Sequence, residues 1–326
     1  MAGKLLQTEE VAERLGVAPA TVRRYIREGR LPAQKTAGEH YRIAEADLLS
    51  FLGSSAPPAR STRIIAFANQ KGGVAKTTSA AALGAAWADR GLRVLLVDFD
   101  PQASLTTALG IDPGPALYGL MTRYVERGDV PSVLDALNAA IRVLPGGEHL
   151  LPSHLDLAAA ELELITAMRR EYILADLLSA VADRYDVIAI DCPPTLGLLT
   201  VNGLTAATDV LIPVTPEYLA AQGLGRLIQT AQKIRRHLNK GLAIAGVLPT
   251  MVKPTTRHHR EVLEQIATIC KANDIPVFGS IPDTIRAADA AGQGVAITRY
   301  PGGDSAAQAY RHLALQLIPE EVAHAR

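Results

Sequence analysis

Six short runs, RIIAFA (63–68), RVLLVDFD (93–100), YDVIAIDCPP (185–194), TDVLIPVTP (208–216), AIAGVLPT (243–250) and IPVFGSIP (275–282), constrain this chain more than any other feature. Their central residues are apolar at successive positions, so neither face is built for water. Such strands belong inside a sheet covered on both sides, and their alternation with helical sequence makes the pairing mainly parallel. The expected fold class is therefore α/β, a mainly parallel sheet flanked by helices. Several runs end in acids or lead into glycine loops. In sheets of this kind ligands bind at the carboxyl ends of the strands, where those residues would lie.

The first run leads into NQKGGVAKTTS (69–79), and an alanine-rich helical pattern continues to about Arg90, stopped by Gly91. The usual phosphate-binding pattern, G-x-x-x-x-G-K-[ST], would need glycine where Gln70 and Ala75 stand. Gly72 and Gly73 still allow the backbone to curl so that successive N–H groups face one anion, and the helix beginning near Thr77 adds its positive end. Lys76 would reach the β and γ phosphates, and the Thr77 hydroxyl would ligate magnesium. If Ala75 sits at positive φ, its methyl group costs roughly 1 kcal/mol. Lys71 has no place in that scheme, because a second cation beside Lys76 is repulsive unless phosphate fills the loop.

KGGVAKTT resembles the deviant Walker A motif, KGGxxK[ST], of the ParA/MinD ATPases. The resemblance implies a P-loop NTPase that binds ATP and Mg2+ and forms an ATP-sandwiched homodimer. Lys71 would be the signature lysine that crosses to the partner's nucleotide, and Lys71, Gly72, Gly73, Val74, Ala75, Lys76, Thr77 and Thr78 would contact ATP. The family's usual residue at position 75 is glycine. DFDPQAS (98–104) looks like the family's switch segment, in which Asp100 would orient the attacking water and Asp98 would support the magnesium shell. DCPPTLG (191–197) resembles its Walker B region, with Asp191 holding magnesium through water. The catalytic set implied is Lys71, Lys76 and Asp100, and the metal set Thr77, Asp191 and Asp98. The resemblance spans residues 63–318 and includes LLPSHLDLAAAELEL and TPEYLAAQGLGRL.

Members of this family differ in what the dimer holds. MinD-like proteins end in a basic amphipathic membrane helix, whereas AYRHLALQLIPEEVAHAR is interrupted by Pro319 and two acids. Nitrogenase-reductase-like relatives clamp an iron–sulfur cluster with cysteines, but the two present, Cys192 and Cys270, do not suit that role. They read as buried thiols. The DNA-partitioning branch remains, with nonspecific DNA and a ParB-like protein as partners. Lys+Arg 33 balances Asp+Glu 33, so a DNA surface must come from local clustering. Residues 223–240 carry Arg226, Lys233, Arg235, Arg236 and Lys240 without an acid, and Lys253, Arg257 and Arg260 follow. Such cations bind phosphates without reading bases, or form a solvated helix face.

GSSAPPARST (53–62) marks a linker, taken as residues 54–62, between a small domain at 1–53 and the ATPase domain at 63–326. In the small domain, TEEVAERLGVAPATVRRYIREGRL (8–31) reads as two short helices, the first capped by Thr8, broken at Gly16 and resumed at Pro19. This suits a helix-turn-helix presenting Arg23, Arg24 and Arg27 to a major groove. A hairpin wing around Gly38 and a closing helix in AEADLLSFL complete a resemblance to the winged helix-turn-helix of MerR and excisionase-like proteins. A module for protein contact is the alternative. The N-terminal sequence lacks a signal-peptide core, and no apolar run reaches about 20 residues, so a cytoplasmic, nucleoid-associated protein without membrane binding is expected. The expected function is a ParA-type ATPase for chromosome or plasmid partitioning, possessing an operator-binding N-terminal domain. A transcriptional regulator with ATP-controlled oligomeric state and a positioning ATPase for a protein cargo are the alternatives.

Overall fold

The computed structural model describes residues 5–15, 22, 26, 31–35, 41–45, 47, 62–128, 130–253, 255–302 and 304–319. The chain divides into two compact units, Met1–Ser61 and Thr62–Arg326. In the first, β1 (Leu5–Gln7), β2 (Gln34–Lys35) and β3 (Tyr41–Ala44) form an antiparallel sheet in the order β1-β3-β2. Pairing of Gln34 with Arg42 and Lys35 with Tyr41 makes β2 and β3 the two arms of the expected wing. The strand β1 was not anticipated, being three residues long and next to a helix start. That helix is Thr8–Leu15, and the Gln7 N–H donates to Glu10 Oε2 at 2.7 Å. The cap therefore lies one residue before Thr8, which is itself buried as the first helical residue. Leu6, Val11, Ala12, Val22, Leu31 and Ile43 form the core of this unit. Burial of each of the larger ones contributes about 1.5–3 kcal/mol. Gly38, Arg23, Arg24 and Arg27, the turn of the helix-turn-helix and most of AEADLLSFL lie outside the described residues.

The second unit is built on seven strands: β4 (Arg63–Phe67), β5 (Val94–Asp98), β6 (Arg142–Val143), β7 (His149–Leu151), β8 (Val187–Asp191), β9 (Asp209–Val214) and β10 (Ala243–Pro249). Their order is β10-β9-β4-β8-β5-β7-β6, and every pair is parallel except β6 with β7. Successive side chains along a strand enter opposite cores, as Leu95 and Val97 do on one face of β5 and Val94 and Leu96 on the other. One face is covered by the helices Lys76–Ala88 and Ser305–Leu317, and the other by helices that include Leu198–Ala206 and Ala220–His237. Lys76–Ala88 sits so close to the sheet that a Cβ on Gly84 would lie 2.5 Å from a Leu96 methyl. Among the described residues no helix is long and apolar enough to cross a membrane.

Two expectations require correction. IPVFGSIP forms no strand. It runs beside β10 and the residues just after it through single bridges, Val247 to Val277 and Val252 to Pro282, because Pro276 and Pro282 have no N–H to continue a ladder. Thr62, placed in the linker, is anchored instead: its hydroxyl donates to the carbonyls of Ala182 and Tyr185 at 2.5 and 2.9 Å.

Candidate active site

The sheet order places β4, β8 and β5 side by side, with Asp191 as the register partner of both Phe67 and Asp98. Paired residues of parallel strands point to the same face, so the two carboxylates share one neighbourhood at the carboxyl end. The loop after β4 curls above them and ends at Ala75, whose φ of 60° and ψ of 31° make it the left-handed residue before the helix Lys76–Ala88. The strain foreseen for alanine is thus present, beside Gly73 at φ 69°. Thr250 fixes the loop from below by donating its hydroxyl to the Val74 carbonyl at 3.1 Å.

Lys76 is buried, and its ammonium donates to the Lys71 carbonyl at 3.3 Å. Burial pushes its pKa down, opposed by the carboxylates of Asp191 and Asp100. The Thr77 hydroxyl donates to Asp191 Oδ2 at 2.7 Å. Asp191 Oδ1 is buried and has no hydrogen-bond partner among the described residues. Burial, then the neighbouring Asp98, holds the Asp191 carboxyl well above the usual carboxylate range. A buried carboxylate oxygen left without a donor, beside a threonine hydroxyl, is an arrangement suited to a hard cation and its water.

Asp98 is placed differently. Its Oδ2 accepts from the Thr106 N–H and hydroxyl at 2.8 and 2.6 Å, and its Oδ1 from the Asp100 N–H at 3.3 Å. Burial still raises its pKa to about 6, with the Thr106 hydrogen bonds acting the other way. In this geometry Asp98 ties Asp100 and Thr106 together, with both oxygens engaged by protein donors. Asp100 Oδ1 accepts from the Gln102 N–H at 3.0 Å, and its carbonyl accepts from the Ser153 hydroxyl at 2.7 Å. Thr106 and Ser153 were missed in the sequence because hydroxyls 8 and 53 residues from their partners carry no local signature.

A cavity of about 540 Å3 lies over the loop. Gly72 through Thr78 and Asp100 line one side, and Ile281–Thr284, Ala306 and Tyr310 the other. The Tyr310 hydroxyl and Ser79 Oγ are 2.9 Å apart, and burial pushes the phenol up to about 12. Lys71 stands apart from this cavity. Its ammonium pairs with Glu217, and it lines a separate hollow of about 390 Å3 with Asn69, Thr215 and Tyr218. The structure therefore brings together Gly72, Gly73, Val74, Ala75, Lys76, Thr77, Thr78, Asp100 and Asp191, with Asp98 behind them and Lys71 turned away.

The basic residues lie elsewhere. Arg226, Lys233, Arg235 and Arg236 are exposed on Ala220–His237, whose apolar side packs against the helix Arg257–Ala272. Arg257 and Arg260 are exposed on the second helix, and Arg257 pairs with Glu261 at 2.8 Å. Lys253 pairs with Asp283 at 3.0 Å. Among the described residues no three histidine, cysteine, aspartate or glutamate side chains assemble a metal centre.

A family model described as an AAA domain matches residues 62–244, and one described as a helix-turn-helix domain matches residues 5–55. The chromosome-partitioning ATPase Soj of Treponema pallidum is 37% identical over 261 residues, which are 79% of this chain and 98% of that protein. This chain is a member of the ParA/Soj family. The sporulation initiation inhibitor protein Soj of Bacillus subtilis is 39% identical over 255 residues, 78% of this chain and 98% of Soj. A solved structure described as cobyrinic acid a,c-diamide synthase of Mycobacterium smegmatis, with bound ADP and magnesium, is 40% identical. It covers 78% of this chain and 92% of its own, with a TM-score of 0.63. The resemblance carried by KGGVAKTT thus holds for the ParA/Soj ATPase as a family statement, and the helix-turn-helix match supplies the second part of the chain.

Proposed function

We propose that this ParA/Soj family member is a Mg2+-dependent partition ATPase that binds DNA nonspecifically as an ATP-bound dimer. One observation carries the reading: at the end of the phosphate loop, buried Lys76 and the Thr77–Asp191 pair, with its free oxygen, converge beside Asp100. ATP occupies the 540 Å3 cavity, with its phosphates on the N–H groups of residues 72–77 and on Lys76. Thr77 and Asp191 hold Mg2+, which neutralises charge on the phosphate oxygens, while Asp98 keeps the switch segment in register. Asp100 orients the attacking water. Burial lowers the Lys76 pKa, and anionic phosphates arriving in the loop act in the opposite direction, favouring its protonated form.

The dimer forms when Lys71 leaves Glu217 and reaches the nucleotide of a second copy. That ion pair is exposed and contributes about 0–1 kcal/mol, so a phosphate readily competes with it. Lys233, Arg235, Arg236, Arg257 and Arg260 contact DNA phosphates, and the ATPase domain, residues 63–326, keeps that activity without the remainder. Residues 1–53, joined to the ATPase domain by the segment that ends before Thr62, bind a specific operator through Arg23, Arg24 and Arg27, in keeping with the helix-turn-helix match. A ParB-like protein stimulates hydrolysis and releases the DNA, and the protein is cytoplasmic and nucleoid-associated.

DNA binding by the full chain and by residues 60–326, each without nucleotide, with ADP and with ATP, tests the reading on random and upstream-region DNA across a salt series. The shorter protein is expected to bind random DNA only with ATP and with steep salt dependence. Binding by the full chain alone, to upstream DNA alone, makes the protein a regulator and the basic residues of 226–260 a solvated face.

A further inference from the structure

A hollow of about 420 Å3 opens at the amino end of the sheet, at the other end of β5 from Asp98. It lies where β5 and β7 begin and the turn between β6 and β7 folds over them. Its volume is within the range of small-molecule pockets and not far short of the 540 Å3 cavity over the phosphate loop. Ala88, Leu92, Ile141 and Val143 give it an apolar lining.

Two features hold it open. Gly91 and Gly147, at φ of 78° and 92°, both line the hollow, and a Cβ on either would meet nothing within 4 Å. The turn is pinned by Arg299, which binds the Glu148 carboxylate and the Gly146 carbonyl so closely that a Cβ on Gly146 would overlap the guanidinium. The walls are therefore built before a ligand arrives, which lowers the ordering cost of binding.

The charge of the lining selects the ligand. Arg93 and Arg184 border the hollow, and among the described residues no aspartate or glutamate lines it. Asp186 grips Arg93 from outside at 2.9 and 3.3 Å, so Arg93 is already partly compensated. Arg184 is not. It is exposed, stands 5.8 Å over the Tyr185 ring and makes no ion pair among the described residues. Between the arginines and the apolar lining, His149 Nδ1 and the Tyr185 hydroxyl lie 2.8 Å apart. A neutral imidazole that accepts the phenol hydrogen at Nδ1 carries its own hydrogen on Nε2, which has no protein partner among the described residues. Burial, then the Arg184 charge, lowers the His149 pKa, so the guanidinium and the ring share one environment.

A bare anion would leave the apolar lining in water, and a neutral aromatic would leave Arg184 uncompensated. An anion carried on a flat apolar body satisfies both. We propose that this hollow is a second ligand site, taking a small aryl carboxylate or aryl phosphate whose charge meets Arg184 and Arg93 and whose body lies on Ile141 and Val143. The site is separate from the nucleotide cavity, and it holds whether or not the protein partitions DNA.

The test is calorimetric titration of the full chain in excess ADP and Mg2+, which fill the phosphate loop. Phenyl phosphate and benzoate are the probes, with inorganic phosphate and benzyl alcohol as controls. Histidine-labelled protein locates the binding by NMR, the His149 ring signal being identified by its loss in His149→Gln. At least one probe is expected to bind with a Kd of about 1 mM or below, about tenfold or more tighter than either control, and to move the His149 signal. Arg184→Gln and Val143→Asp change exposed side chains, Val143 being 69% exposed, and melting curves verify their folding. Each should weaken binding by about tenfold or more, while Lys76→Ala leaves it unchanged. Binding by phenyl phosphate alone supports the site and narrows its ligand to phosphate esters; binding by benzoate alone narrows it to carboxylates. Failure of both probes, equal binding to the parent and the two rim variants, loss of binding in Lys76→Ala, or binding that leaves the His149 signal in place overturns the proposal. Inorganic phosphate binding as tightly as the probes overturns it as well, by reducing the hollow to a site for an adventitious ion only.

Discussion

At the carboxyl end of the seven-stranded sheet, Asp98, Asp191 and Lys76 are buried together, whereas at the amino end Arg63 faces Asp209 and Arg93 faces Asp186, with the arginine side chains 33% and 55% exposed. The amino-end charges form ion pairs at 2.9 Å, whereas Lys76 feels the Asp191 and Asp100 carboxylates without pairing directly with either. At the amino end solvent screens them, and each pair contributes about 0–1 kcal/mol. At the carboxyl end desolvation dominates, moving Asp98 and Asp191 up and Lys76 down. Buried charges without a direct ion pair are thus concentrated where a nucleotide would be bound, while at the other end Arg63 and Arg93 are paired and even buried Glu148 is matched by Arg299.

Breaking the carboxyl end should produce the largest effects. Lys76→Ala is expected to weaken ATP binding by about 1,000-fold or more, roughly 4 kcal/mol, measured by titration calorimetry. Asp100→Ala should retain ATP binding and dimerisation while turnover falls about 1,000-fold in a phosphate-release assay; normal turnover would remove Asp100 as the water-positioning residue. Asp98 sharpens the contrast through pH. Its folded pKa of about 6 exceeds the ordinary 3.8, so the folded state holds the proton more tightly, and this contribution is complete below pH 3.8 and lost as pH rises to about 6. Denaturant unfolding from pH 4 to pH 6 should show a loss of about 2 kcal/mol from this group that is missing in Asp98→Asn.

The amino end supplies the smaller effects. Arg299 binds buried Glu148 at 2.7 and 2.9 Å, together with Asp89 and the Gly146 carbonyl. Arg299→Met should cost about 2 kcal/mol in unfolding free energy, because Glu148 is left buried and unpaired. Arg93→Ala should cost less than about 1 kcal/mol by the same measurement. A larger loss there would mean that the two ends do not differ as described.

The central strands could be read from sequence because β5 and β8 are apolar at every position before their terminal aspartates, and no half-exposed alternative fits them. β6 and β7 could not, being two and three residues long with Arg142 and His149 among them. The Ile275–Pro282 run was over-read since its apolar residues resemble a strand while its prolines prevent the ladder. At the site, residues 72–78, Asp100 and Asp191 were legible because one loop and two strand ends bring them together. The roles of Thr106 and Ser153 depend on contacts distant in sequence. Lys71 was legible as a signature but not as the partner of Glu217, 146 residues away.

Four of the six non-glycine residues at positive φ among the described residues surround the nucleotide end: Ala75, Ala103, Leu219 and Met251, at 60°, 53°, 68° and 53°. Each holds about 1 kcal/mol of backbone strain that glycine would relieve. Selection for heat resistance and selection for an accurately shaped site would therefore act on the same four codons, and in opposite directions. Glycine there would ease the native backbone while loosening the loops that aim Lys76, Asp100 and Lys71. A thermostable lineage of this protein should leave its mark at those codons before it alters the core.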